Sequence, residues 1–141
     1  MRKLLMFVAL AASLLSHAMA EEKRVEMSRY SKAYSGGAGY YVWIARIGPR
    51  ENQEALLQIN GIDHELDRRV VRAKAVPSAG GVKYIAAFGG KSYELLEVNG
   101  GNAELRITGA PWTSSLTYDK TLVDERPPEH LLASYLESTS K

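Results

Sequence analysis

The chain has 141 residues, no cysteine, and 18 basic residues against 16 acidic ones. The missing cysteine excludes disulfides and lipid attachment through a thiol. Arg2 and Lys3 account for the whole positive excess, and without them the 16 remaining basic residues balance the 16 acidic ones. A neutral remainder argues against nucleic-acid binding, which needs surplus Lys and Arg to displace counterions from phosphates.

The first twenty residues have the pattern of a secretory signal peptide. Two basic residues precede an apolar run at residues 4–15. Ala18 and Ala20 then provide small side chains at the two positions that signal peptidase recognises. We therefore expect residues 1–20 to be removed and residues 21–141 to form a single β-rich periplasmic domain.

The apolar run is also informative about the membrane. It is shorter than the ~20 residues that a membrane-spanning helix needs, and no second run follows, so we expect no stable membrane insertion. The short charged region and the alanine-rich run are typical of bacterial signals. The periplasm is therefore the predicted location, and the extracellular space is the alternative.

The first half of the predicted domain contains three β candidates. Residues 40–47 are rich in aromatic and β-branched side chains, which indicates a buried central strand that ends at Gly48-Pro49. Residues 54–60 fit either a strand or a short helical turn. Residues 68–76 are predicted to form the next strand.

Regularly spaced glycines predict a β-meander in the second half. Turn sequences recur at steps of 9 and 11 residues, as expected for short strands joined by hairpins: Gly80-Gly81, Gly89-Gly90 and Asn99-Gly100-Gly101-Asn102. We expect strands at residues 82–88, 92–98 and 103–108. In the last of them apolar and polar residues alternate, which is typical of a sheet with one face in solvent.

The carboxyl-terminal part adds one strand and one helix. Residues 116–123 favour a final strand. Pro127-Pro128 fit the first turn of a helix, and four apolar residues follow at helical spacing: Leu131, Leu132, Tyr135 and Leu136. We expect this short C-terminal α-helix to close one end of a mainly β, single antiparallel barrel or sandwich.

The densest polar cluster is Asp63-His64-Glu65-Leu66-Asp67. Its carboxylates suit a hard cation, but the spacing matches neither a calcium loop nor a zinc motif. A solvated connection between strands is the preferred interpretation, and cation binding by Asp63, His64, Glu65 and Asp67 is left open. His130 is interpreted as a surface histidine, since no nucleophile is placed near it by a known motif. We therefore predict no catalytic residues, no metal site and no cofactor.

Aromatic residues suggest where a partner binds. Tyrosines interleaved with serine and glycine over residues 28–43 have the composition of binding loops, because tyrosine provides contact area with few torsions to restrict. Tyr30 and Tyr34 are the candidate exposed anchors. Trp112, which follows a proline, is a further candidate, although it would equally serve to plug the barrel.

An exported binding module is the leading hypothesis, most specifically an inhibitor or immunity-type protein that binds another envelope protein. Such inhibitors usually insert a loop into the cleft of their target. A small-molecule or lipid carrier that uses the barrel interior is the alternative, and a metal-assisted enzyme ranks last. The sequence does not indicate the partner or the oligomeric state.

Export gives the first prediction. Mass spectrometry of the protein recovered from its own cells should find Glu21 as the first residue, in the periplasmic fraction. Intact Met1 on protein in the cytosolic fraction would contradict both the cleavage site and the location.

Overall fold

The computed structural model describes residues 25–140, so the predicted signal peptide lies outside the described residues. Eight antiparallel strands follow one another around a closed barrel, and the last pairs with the first. The prediction of a mainly β fold is confirmed. Of the two architectures that the sequence left open, barrel and sandwich, the structure is a barrel. The strands are β1 Lys32–Ser35, β2 Tyr41–Arg46, β3 Glu54–Asn60, β4 Val70–Ser78, β5 Gly81–Phe88, β6 Lys91–Asn99, β7 Asn102–Leu105 and β8 Ser114–Tyr118.

Three helical elements complete the described chain: 3₁₀ turns at Arg50–Asn52 and Lys120–Glu125, and the helix α1 at Pro128–Thr139. Residues 54–60, left open between strand and helix, form the strand β3. No helix in residues 25–140 has the length and apolar character that crossing a bilayer requires.

The predicted meander is confirmed. Strands β4 to β7 are joined by hairpins whose loops contain two residues each, as the pairs that flank the loops show: Ser78 with Gly81, Phe88 with Lys91, and Asn99 with Asn102. In the middle loop Gly89 and Gly90 have φ angles of 58° and 78°. Two consecutive positive φ angles fit the right-handed twist of the strands and are readily adopted only by glycine.

The barrel interior is filled by side chains from all eight strands, including Tyr34, Leu57, Leu96, Leu105 and Leu116. Between β5 and β6 the register shifts after Tyr84, which leaves Leu95 without a paired residue. This bulge explains why the consecutive residues Leu95 and Leu96 are both fully buried in one cluster.

A second apolar cluster lies outside the barrel, where α1 and the preceding 3₁₀ turn cover the wall made by β2, β3 and β4. Leu131 of α1 packs with Trp43, Ala45 and Leu56. The Trp43 indole N–H donates to the carbonyl of Leu122 at 2.8 Å, which fixes the 3₁₀ turn to the wall. The helix was expected to close an end of the barrel, and that prediction is wrong: covering the wall is what buries both faces of β2.

Three predicted strand limits are wrong, and two of them have an identifiable reason. The strand expected from residue 68 begins at Val70, because Arg68 has a left-handed backbone with φ of 62°. The strand expected to reach residue 108 ends at Leu105. The last strand stops at Tyr118 because Asp119 caps the next 3₁₀ turn, accepting from the Thr121 backbone N–H at 3.0 Å.

The two leucines of α1 provide a stability test. Leu131 is fully buried whereas Leu136 is 51% exposed. Replacing Leu131 by Ala should lower the free energy of unfolding by about 2–5 kcal/mol, because it leaves a cavity under the helix. The matched change Leu136→Ala should alter it by less than about 0.5 kcal/mol. Urea unfolding measures both, and equal effects would mean that the helix does not pack through Leu131.

Candidate functional site

The two ends of the barrel differ. At the end where β3 and β7 finish, the connections at residues 61–69 and 106–113 fold over the interior, and we call this the closed end. Leu66 from the first connection is buried in the barrel core. Trp112 from the second stacks on Tyr40 with ring centroids 5.3 Å apart. Trp112 therefore plugs the barrel, and its role as a partner contact stays a prediction.

The acidic cluster belongs to the closed end, where its polar atoms are engaged in local hydrogen bonds. The Asp67 carboxylate accepts from the backbone N–H of Gly61 at 2.8 Å and of Ile62 at 3.2 Å. The His64 ring Nδ1 accepts from the backbone N–H of Leu66 at 3.1 Å. These bonds fix the connection that carries Leu66 into the core.

Glu65 has a structural partner as well. Its carboxylate accepts from the Tyr93 hydroxyl at 3.0 Å, and this bond raises the pKa of the Tyr93 phenol above its ordinary value. Asp63 is exposed. Within residues 25–140 no three His, Asp or Glu side chains are grouped so that they would hold a metal ion. His64, Glu65 and Asp67 serve the fold of this connection, and the enzyme hypothesis draws no support from their geometry.

Tyr34 is not an exposed anchor, so this part of the prediction is wrong. It is only 1% exposed, because alternation along β1 turns its side chain into the barrel. Its hydroxyl donates to the carbonyl of Gly100 at 3.2 Å, and burial raises the pKa of this phenol. Tyr30, in contrast, is 66% exposed.

Tyr30 lies at the opposite end of the barrel, beside a recess of about 410 Å³ that opens to solvent. We call this cavity the open-end recess. Its residues come from the segment before β1, from β1 to β5 and from the turn between β2 and β3: Ser28, Tyr30, Lys32, Ile44, Arg46, Arg50, Gln53, Glu54, Ala55, Ala75 and Tyr84.

The floor of the open-end recess is mainly apolar. It exists because β3 and β4 place the small side chains of Ala55 and Ala75 toward the interior at this end, where larger residues would fill the space. Ile44 and Tyr84 complete the floor. Burial raises the pKa of the Tyr84 phenol, so this group stays neutral at physiological pH.

The rim of the open-end recess is basic. Lys32 and Arg50 have no salt bridge with any residue in the range 25–140, and Arg46 has a loose one, 3.5 Å from the carboxylate of Glu26. The one carboxylate in the lining, Glu54, is occupied by Arg72 at 2.5 Å, which lowers the pKa of Glu54. The recess therefore combines an apolar floor with a rim that attracts negative charge.

Sequence reasoning found only one member of this site. Tyr30 stands out by its residue type, whereas the strand that carries Lys32 was not predicted and Arg46 lies near the end of an expected strand. The signal available in the sequence was the alternation of these cations with apolar residues that face the barrel interior. In the structure Lys32 pairs with Ile44, and Arg46 pairs with Ala55. Pairing of β1 with β2 and of β2 with β3 places these inward-facing cations at one opening.

Comparison with known proteins found no matching family model, no matching curated protein and no matching solved structure. The function must therefore be inferred from the residues of this chain.

Two aspartates of the acidic cluster distinguish a structural role from a cation site. Asp67→Ala should lower the free energy of unfolding by about 1–3 kcal/mol, because two backbone N–H groups lose a charged acceptor. Asp63→Ala should change it by less than about 0.5 kcal/mol, since Asp63 is exposed. Thermal or urea unfolding measures both. Stabilisation of the unaltered protein by calcium or magnesium that is lost in both variants would contradict the structural role.

Proposed function

We propose that this protein is an exported binding protein that captures another envelope protein, in the manner of an inhibitor or immunity factor, through the open-end recess and Tyr30. The asymmetry of the barrel carries the proposal. The protein's own side chains plug one end, whereas the other end presents an exposed aromatic, an apolar floor and two cations, Lys32 and Arg50, that have no salt bridge within residues 25–140. Partly apolar surfaces rimmed by polar groups are typical of protein interaction sites.

The filled interior supports a protein partner over a carried ligand. A carrier needs a cavity inside the barrel, but the interior side chains form one continuous buried cluster. The open-end recess is a shallow opening at the mouth that Tyr84 limits from below. It has room for one or two side chains of a partner.

The loop lengths set the direction of insertion. Inhibitors of the expected type place a loop in the cleft of their target, but the hairpins between β4 and β7 have two-residue loops. The connections at residues 61–69 and 106–113 fold over the closed end, and the connection between β2 and β3 forms part of the lining of the open-end recess. The concave element is instead on this chain. We infer that the partner contributes the anchor, an aromatic or aliphatic side chain flanked by carboxylates that meet Lys32 and Arg50.

Tyrosine substitutions test this proposal. Tyr30→Ala should weaken capture of an envelope partner by about tenfold or more, as expected when an exposed aromatic anchor is truncated. Tyr41→Ala is the matched control, because Tyr41 is 39% exposed but starts β2, near the closed end. The measurement is affinity capture from envelope extract with quantitative mass spectrometry, followed by binding constants for the protein identified.

Charge reversal at the rim adds an independent check. Arg50→Glu should weaken the same complex, whereas Arg106→Glu, at an exposed arginine on the outer face of the barrel, should not. Capture that survives both Tyr30→Ala and Arg50→Glu would contradict the open-end recess as the contact. Loss of capture only with Tyr41→Ala would move the contact to the other end of the molecule.

A further inference from the structure

A second recess, of about 610 Å³, lies on the outside of the barrel between α1 and the wall formed by β2 and β3. We call it the helix groove. It is separate from the open-end recess, and the two have no lining residue in common. The helix groove is lined by Gly39, Tyr41, Gln58, Asn60, Gly61, Arg68, Arg126, His130 and Ser134.

Two arginines from different elements define the charge of the helix groove, and no carboxylate belongs to its lining. Arg126 lies just before α1, and its guanidinium carbon is 5.4 Å from the centre of the Trp43 ring. Its carbonyl accepts from the buried Ser31 hydroxyl at 2.6 Å. Both contacts hold the position of Arg126 before any ligand arrives, which reduces the entropy lost on binding.

Arg68 is presented by a strained backbone. Its φ of 62° is unusual for a residue other than glycine and costs on the order of 1 kcal/mol. Its N–H donates to the carbonyl of Ile59 at 2.8 Å, which holds the conformation. The Oδ2 atom of Asp67 is 3.8 Å from Arg68 Nε, and the Arg68 side chain in this pair is 80% exposed. Exposed, long pairs of this kind are weak.

Between the arginines the groove offers neutral hydrogen-bonding groups. Gln58 is 7% exposed, an uncommon burial for an amide on the outer face of a strand, and its side-chain N–H donates to Asn60 at 3.0 Å. Tyr41 and Ser134 contribute hydroxyl groups, and His130 an imidazole. Sequence reasoning treated His130 as an isolated surface residue, but here it faces a polar cleft.

We propose that the helix groove is a binding site for a polar, anionic small molecule that carries a carboxylate or phosphate together with hydroxyl or amide groups. Arg68 and Arg126 bind the anionic group, since the guanidinium fork matches the oxygens of both carboxylate and phosphate. Gln58, Asn60 and the hydroxyl groups bind the polar body. The volume lies in the range of ligand pockets and exceeds what a single inorganic ion fills.

The test is a titration of the isotope-labelled full protein, followed by the backbone amide shifts, with inorganic phosphate and with malate in separate arms. Sodium chloride at matched ionic strength is the control. Saturable shifts at Asn60, Gly61, Arg68 and His130 are expected with at least one probe and not with chloride. Response to phosphate alone assigns a phosphate ligand, and response to malate alone assigns a carboxylate. Absence of saturable shifts with both probes overturns the proposal.

Neighbouring arginines supply the matched variants. Arg68→Gly removes the side chain while relieving the left-handed backbone, so the thermal midpoint should not fall and the affinity should drop about tenfold. Arg69→Ala removes the same charge one residue away, but Arg69 stacks on Phe88 outside the helix groove and should leave binding unchanged. Equal losses in the two variants would show nonspecific attraction and overturn the site. Capture through Tyr30 should persist in Arg68→Gly, which separates this test from that of the proposed function.

Discussion

Closure of the sheet between β1 and β8 is the constraint on which the rest of the structure depends. Only two residue pairs join these strands, Tyr34 with Tyr118 and Ser35 with Thr117. The seam is reinforced by Asp119, whose N–H donates to the carbonyl of Ala33 at 2.9 Å and whose carboxylate accepts from the Ser35 hydroxyl at 2.8 Å. Hydrogen bonds from Thr121 and Ser35 lower the pKa of Asp119, which favours the ionised carboxylate that accepts these bonds at the seam.

Closure of the barrel has consequences both inside and outside it. Inside, it brings the inward-facing residues of all eight strands into one cluster, and it leaves no strand edge open to pair with another chain. Outside, the residue that ends the seam also begins the 3₁₀ turn that carries Leu122 onto Trp43. The same corner therefore positions α1, and with it the helix groove.

Local sequence signals predicted the parts of the fold that local forces determine. The meander was predicted from glycine pairs, because the backbone conformation of a tight turn is determined within four residues. The helix α1 was predicted from the spacing of its apolar residues. The seam was not predictable in this way, because it joins residues about 80 apart in sequence, and no composition signal links Ser35 with Asp119. The placement of α1 was also missed because it depends on residues that are distant in sequence. The helical spacing of apolar residues identifies a helix but does not indicate which strands it covers.

The candidate sites divide similarly. Tyr30 was found because its residue type is informative by itself. Tyr34 was misjudged because a four-residue strand shows too little alternation to reveal its inward face. The cations of both recesses were missed, since 18 basic residues against 16 acidic ones gave no reason to look for basic clusters. Charge balance describes the whole molecule, whereas binding depends on where the partners of each charge lie.

The distribution of those partners is uneven in this barrel. Charged side chains form ion pairs on the outer face of β5 to β7 and at the residue after β7. Lys83 pairs with Glu94 at 3.4 Å, and Arg106 pairs with Glu104 at 2.5 Å. In the open-end recess Lys32 and Arg50 have no salt bridge within residues 25–140, and the pairs of Arg46 with Glu26 and of Arg68 with Asp67 are long, at 3.5 and 3.8 Å. Exposed pairs contribute little to stability, so pairing on one face and isolation on another has little effect on folding. This uneven pairing affects the electrostatic field of the protein, because cations in a concave, partly apolar site attract anions more strongly than the same cations on an open surface. Although its basic and acidic residues nearly balance, the molecule presents two cationic recesses, and these are where the proposed binding functions are to be tested.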